Sequence, residues 1–295
     1  MKKAYLFPGQ GSQHKGMGLD HYRFDNEFKK RCEQANEILG FRITDIMFEG
    51  TDEQLSQTRY TQPALFVHAA ALFESLSHQP DMVAGHSLGE YTALVAAGVL
   101  KFEDALNTVK VRAELMQKAG EEQSGAMAAV IGLTDDQVES VCREMTGDAD
   151  GLVVPANYNS KGQLVISGHE EAVAHAMEKL KEEGAKMVKK LPVSGAFHTR
   201  LMEPAKKELD GIIDKLEFHP PKALVYSNAT GTASKSPEII KTHLKDQMLS
   251  PVRWTQTLMA MHEDGAMHFI EVGPGSVLQG LVKRTLKNVG ISGFQ

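Results

Sequence analysis

Short apolar runs that end at a glycine turn and give way to a longer amphipathic stretch recur along the chain. Lys3 to Phe7 is the first, closed by Pro8-Gly9. Met82-Val83-Ala84, followed by Gly85 and a helical stretch from Tyr91 to Ala97, is the second. His268 to Val272, followed by Gly273-Pro274-Gly275 and a helix from about Ser276 to Leu286, is the third. Each run is strand-length and lies beside turn residues, so each reads as a strand feeding a helix. This alternation predicts an α/β fold, a lobe built on a largely parallel sheet.

The middle of the chain changes character. Ala126 to Gly132 and Gln163 to Ser167 read as strands, and Ala185 to Lys190 as a closing strand. Asp135 to Met145 reads as a helix. Glu170 to Glu183 is a second helix, with Ala172, Val173, Ala176, Met177 and Leu180 on one face. This βαβαβ-like order predicts a small sheet-and-helix lobe at residues 124–190, inserted in a larger one formed by 1–123 and 191–295. The polar run Thr230 to Pro237 is expected as a surface loop.

Composition narrows the function classes. The 295 residues are 42% hydrophobic and 24% charged, with a net charge of -6. That balance argues against a nucleic-acid binder. The two cysteines, Cys32 and Cys142, lie far apart and in no metal-like spacing, so neither a disulfide framework nor a metal site is expected. No apolar stretch approaches the ~18 residues of a membrane span, and the first apolar run is too short for a signal-peptide core. The chain is expected to be soluble, cytoplasmic and, with no flat apolar patch evident, monomeric.

Gly85-His86-Ser87-Leu88-Gly89 fits a nucleophile elbow. The glycines two positions either side keep side chains away from a sharp strand-to-helix turn, and the Leu88 N–H at the helix start would face a developing oxyanion. A serine hydroxyl needs a base, and twelve histidines compete for the role. His198 sits in the small-residue loop Pro192-Val193-Ser194-Gly195-Ala196-Phe197-His198 and is mildly favoured on chemistry alone. His86 adjoins the serine but should point away across the turn. His68 reads as a packed core histidine, and His175 and His243 as solvated helix residues. Arg112 lies in a helix and stays open between a solvated surface arginine and a bidentate clamp for a substrate carboxylate. Phe7-Pro8-Gly9-Gln10-Gly11-Ser12-Gln13 is a glycine-rich turn after a strand. His14 stands where the third glycine of a dinucleotide fingerprint would fall, so the turn offers backbone N–H groups instead.

These stretches resemble the malonyl-CoA:acyl carrier protein transacylases and related polyketide acyltransferases. The others are Thr61-Gln62-Pro63-Ala64, Gly125 to Gly132, Asn157 to Ser160, Pro251-Val252-Arg253-Trp254 and Glu271-Val272-Gly273-Pro274-Gly275, in family order from residue 4 to about 286. The resemblance implies a hydrolase-like α/β lobe with an inserted ferredoxin-like lobe and the site between them. It implies that Ser87 attacks the malonyl-CoA thioester and that His198 serves as base and then acid. His198 would be steadied by the backbone carbonyl of Gln247, and the oxyanion held by the N–H groups of Gln10 and Leu88. Arg112 would bind the malonyl carboxylate, Phe197 would crowd an α-methyl group, and no cofactor would be needed. The acceptor would be the phosphopantetheine thiol of an acyl carrier protein. The same Ser-His pair would also fit an acyl-thioester hydrolase, which has no use for a carboxylate-binding arginine. Gly195-Ala196-Phe197-His198 has alanine where housekeeping bacterial enzymes more often have proline, and so looks more like polyketide acyltransferases. Lys179, Lys181, Lys186, Lys189 and Lys190 cluster in the small lobe as a surface for an acidic carrier or, equally, as a solvated lysine-rich face.

Overall fold

A computed structural model describes residues 2–76, 79–147, 151–193 and 195–295; Ser194, in the loop carrying His198, lies outside them. Ten strands are present among the described residues. They are β1 (Lys2–Phe7), β2 (Met82–Gly85), β3 (Gly125–Ile131), β4 (Val153–Ser160) and β5 (Gln163–His169). β6 (Met187–Lys190), β7 (Leu224–Tyr226), β8 (Ala233–Ser234), β9 (Ala266–Val272) and β10 (Gly290–Phe294) follow. Two sheets result, with strand orders β10-β9-β1-β2-β7-β8 and β4-β5-β3-β6.

In the larger sheet every pairing but β7 with β8 is parallel. Its central strands are buried on both faces, which is why they appear as unbroken apolar runs. Along β1, Tyr5 and Phe7 enter one core while Ala4 and Leu6 enter the other. β2 splits likewise, Val83 to the first and Met82 and Ala84 to the second. Helix Thr58–Ser75 packs on β9 and carries Phe102–Glu122 on its outer side, while Gly89–Ala96 packs on β1 and β2. His68, on Thr58–Ser75, is buried edge-on against Phe28, the packed core histidine expected of it.

The smaller sheet is wholly antiparallel. Ala126, Ala128 and Val130 of β3 pack with Val138, Val173 and Leu180 of the two helices Asp135–Met145 and Glu170–Glu182. Met127 and Ala129 point the other way and line a cavity against the larger sheet's lobe. Residues 125–190 therefore form a βαββαβ unit, the ferredoxin-like order, and not the βαβαβ read from the sequence. The missing strand was β4. Register shifts between Pro155 and Asn157 and between Tyr158 and Ser160 break its alternation, so no period of two is visible. β4 also ties the smaller sheet to the segment before the helix Trp254–Glu263 through an isolated bridge, with the Tyr158 N–H bonded to the Val252 carbonyl and the Val252 N–H to that of Ala156.

Thr230 to Pro237 is not simply a loop. It turns back to place β8 on the edge of the larger sheet, and Pro237 opens the helix Pro237–Asp246. No helix among the described residues is long and apolar enough to cross a membrane.

Candidate active site

β1 and β2 end side by side, and the turns after them meet where ligands bind in parallel α/β sheets. The two turns are stitched by the His86 N–H donating to the Phe7 carbonyl at 2.9 Å. Three glycines make this contact sterically feasible. A Cβ on Gly85 would lie 1.8 Å from the Gly89 carbonyl carbon, one on Gly89 2.1 Å from the Phe7 oxygen, and one on Gly9 2.3 Å from the His86 oxygen. The cost of the tight turn falls on Ser87, which has a left-handed φ of 50°.

Side chains from remote segments hold that conformation. β7, paired with β2, delivers Asn228 just beyond its C-terminal end. The Ser87 N–H donates to Asn228 Oδ1 at 2.6 Å, and Asn228 Nδ2 donates to the Gly85 carbonyl at 2.7 Å. Gln247, at the end of the helix Pro237–Asp246, donates from Nε2 to the Ser87 carbonyl at 2.9 Å.

Ser87 Oγ lies 2.9 Å from His198 Nε2 and accepts from Arg112 Nη2 at 3.0 Å. On its other side the ring faces two carbonyls, with Nδ1 3.0 Å from Gln247 O and 3.1 Å from Ser250 O. A nitrogen facing only acceptors must carry the proton, so Nε2 is the basic nitrogen and points at the serine. Among the described residues no carboxylate completes a triad. Burial, and then the nearby Arg112 charge, push the His198 imidazole down from 6.5 to about 3, against the opposing pull of the two carbonyls. Because the shift is downward, the neutral, proton-accepting form persists well below the usual histidine range. A nitrogen-NMR titration, with His198 assigned by its loss in His198→Ala, should find the ring neutral at about pH 5.5, where an unperturbed imidazole is largely charged. A midpoint at or above 6.5 would contradict this environment.

Arg112 is 1% exposed, which removes the surface-arginine reading. Its Nη1 donates to Gln62 Oε1 at 2.6 Å and its Nη2 to Gln247 Oε1 at 3.1 Å, with the Tyr91 ring 5.5 Å away. Among the described residues no carboxylate lies within ion-pair distance of it. A buried cation held only by neutral acceptors is expensive, and a bound carboxylate would relieve it.

Ser87, His198, Arg112 and Phe197 line one cavity of about 300 Å³, together with Gln10 and Leu88. The backbone N–H groups of Gln10 and Leu88 have no partner within the chain among the described residues. That of Leu88 is one of the free donors at the start of the helix Gly89–Ala96. Met116, Met127, Val165 and Leu281 add apolar wall. Ala196, 1% exposed, packs against Gly125 at the start of β3.

The remaining histidines divide as follows. His86 turns from the serine, with Nε2 2.8 Å from Asn159 Oδ1 and its ring against Trp254. His175 is exposed and His243 is half-buried. Of the five lysines on the small lobe, Lys179, Lys181 and Lys190 are spent on Glu183, Glu178 and Glu170. Sequence reading missed Gln62, Glu90, Asn228 and Ser250, and took from Gln247 only its carbonyl. Gln62 stands within Thr61-Gln62-Pro63-Ala64 and Glu90 directly follows the elbow Gly85–Gly89; Asn228 and Ser250 carried no local signal.

A serine oriented against a basic nitrogen, beside two free N–H groups, defines the class of proteins that form acyl-serine esters. The acyl transferase domain model matches residues 4–293, and the chain belongs to that family. It is 40% identical over 295 residues to the malonyl CoA-acyl carrier protein transacylase of Staphylococcus aureus (strain MRSA252), covering 100% of this chain and 96% of the relative. An acyl carrier protein S-malonyltransferase from Vibrio cholerae superposes with a TM-score of 0.95 at 41% identity, covering 100% and 97% of the two chains. A malonyl-transacylase solved with its holo type II polyketide synthase acyl-carrier protein gives 0.94 at 38%, covering 99% and 95%.

Proposed function

We propose that this chain transfers malonyl from malonyl-CoA, through an ester on Ser87, to the phosphopantetheine thiol of an acyl carrier protein in fatty acid or polyketide assembly. The observation that carries the reading is Arg112, a buried guanidinium 3.0 Å from Ser87 Oγ with no carboxylate of the described residues in ion-pair reach. The names of the relatives point the same way.

Ser87 Oγ attacks the thioester carbonyl carbon as its proton passes to His198 Nε2. The resulting oxyanion is held by the N–H groups of Gln10 and Leu88, each such donor being worth roughly 3–4 kcal/mol of barrier. The C–S bond then breaks, and the departing CoA thiolate takes the proton from His198. In the second half the carrier thiol gives its proton to Nε2 and attacks the ester carbonyl, and Ser87 Oγ leaves and recovers the proton. Phe197, 5% exposed in the cavity wall, leaves little room for an α-substituent. Hydrolysis uses the same dyad but is disfavoured, since a proofreading acyl hydrolase has no use for an arginine that captures a substrate carboxylate. Cys32 and Cys142 are free and buried, in keeping with a cytoplasmic protein, and we take the working unit to be a monomer.

Incubation with radiolabelled malonyl-CoA and, separately, acetyl-CoA tests this. Malonyl should label the protein at least about tenfold faster, and the label should pass to an added holo-carrier faster than to water. Equal labelling by the two thioesters would remove the role given to Arg112, and release to water alone would restore the hydrolase reading.

A further inference from the structure

Glu90 lies three residues beyond the serine, 1% exposed, and the reaction above gives it no task. A buried carboxyl needs partners. Here they are a select group: Oε2 accepts from Gln247 Nε2 at 2.8 Å and from the Asn228 N–H at 3.1 Å, and the Ser227 side chain adds a further hydrogen bond. Asn228 and Gln247 are the residues whose side chains hold the N–H and the C=O of Ser87. Gln247 also presents Oε1 to Arg112 and its main-chain oxygen to His198. The carboxyl thus touches neither the serine hydroxyl nor the imidazole nor the guanidinium, yet it is bonded to the two residues that position all three.

We propose that Glu90 is a positioning residue for acyl transfer: its Oε2 fixes Gln247 and Asn228, and through them the left-handed turn of Ser87 and the guanidinium of Arg112. A capping or purely structural acid would bond to its own helix end or to a core partner. Glu90 instead spans from the nucleophile's helix to two segments more than 130 residues away, each of which reaches back to Ser87. Burial pushes the carboxyl up to about 7, with its bonds to Gln247 and Asn228 and the Arg112 charge pulling it down. Protonated or ionised, Oε2 can still accept both bonds, so geometry and not charge is the property that matters. This inference rests on the malonyl-transfer reading for its substrate, but its effect on the Ser87 turn does not.

Two substitutions separate reach from charge. Glu90→Gln keeps an oxygen at the same reach and discards the charge; Glu90→Asp keeps the charge and withdraws the oxygen by one methylene. Active sites are first counted by stoichiometric reaction of Ser87 with phenylmethylsulfonyl fluoride, which needs no carboxylate clamp, so that any misfolded fraction is removed from the comparison. Per titrated site, Glu90→Asp should lower malonyl-transfer kcat about 10²-fold, slow the sulfonylation rate and shrink the malonyl-to-acetyl ratio. Glu90→Gln should stay within about tenfold of the parent in all three. The proposal is overturned if Glu90→Asp matches the parent per site, whatever its melting temperature, or if Glu90→Gln is as impaired as Glu90→Asp. Should the parent protein show no malonyl labelling, the malonyl reading fails, while the sulfonylation rates of the two variants still decide the role of Glu90.

Discussion

Replacing Ser87 by alanine is expected to lower malonyl transfer by about 10⁵-fold and to abolish the covalent malonyl-protein adduct. The magnitude follows from how many elements converge on one oxygen. Ser87 Oγ lies both 2.9 Å from the basic His198 nitrogen and 3.0 Å from Arg112. His198 alone cannot replace it, because its Nδ1 is committed to two carbonyls and its Nε2 then has no nucleophile to deprotonate. The fold should survive the change. Alanine and serine carry similar strain at a φ of 50°, and the clamps on the turn come from backbone groups of residue 87 that alanine retains. Arg112 keeps Gln62 and Gln247 as acceptors. Intact-protein mass spectrometry after malonyl-CoA addition provides the measurement, with circular dichroism as the control for folding. A malonyl adduct that persists in Ser87→Ala would place the nucleophile elsewhere.

A Ser–His pair without a carboxylate has a consequence for proton flow. Two neutral carbonyls orient the imidazole but lend little stabilisation to an imidazolium, and the adjacent guanidinium opposes one. The proton is therefore not stored on His198 between half-reactions. It moves from hydroxyl to departing thiolate, and from incoming thiol to departing serine, within each step.

What could be read from the sequence was whatever a local steric rule dictates. Gly85 and Gly89, which frame Ser87, were legible because only glycine allows backbone to approach within 2.1 Å of where a Cβ would stand. β1 and β2 were legible because burial on two faces removes all polar positions from a short run. Asn228 and Ser250 were not, since their roles are created by the pairing of β7 with β2 and by the turn after Asp246, both tertiary events. Arg112 had a signal that composition alone does not weigh. On the helix Phe102–Glu122 it falls in line with the buried Ala105, Thr108, Val109, Met116 and Ala119, an apolar stripe on which a solvated arginine has no place.

Arg112→Gln should exchange the enzyme's preference. The carbonyl acceptors Gln62 Oε1 and Gln247 Oε1 can be met by the new amide, so the site is expected to stay folded. A malonyl carboxylate would then be desolvated with no cation to meet it, a loss of about 3–5 kcal/mol, which is roughly 10²- to 10⁴-fold in kcat/KM. Acetyl-CoA should respond in the opposite direction, for two reasons. The parent must keep a buried guanidinium unpaired while acetyl occupies the cavity, and the variant does not. The guanidinium also holds the His198 imidazole down, and its removal makes Nε2 a better base. In the parent, only a substrate that brings its own carboxylate cancels that charge, so selectivity is exerted on the base as well as on binding. Steady-state kcat/KM for both thioesters, measured against one carrier, reads the outcome. A fall in malonyl transfer with no gain for acetyl would confine Arg112 to substrate binding, and equal losses for both would make it a structural residue.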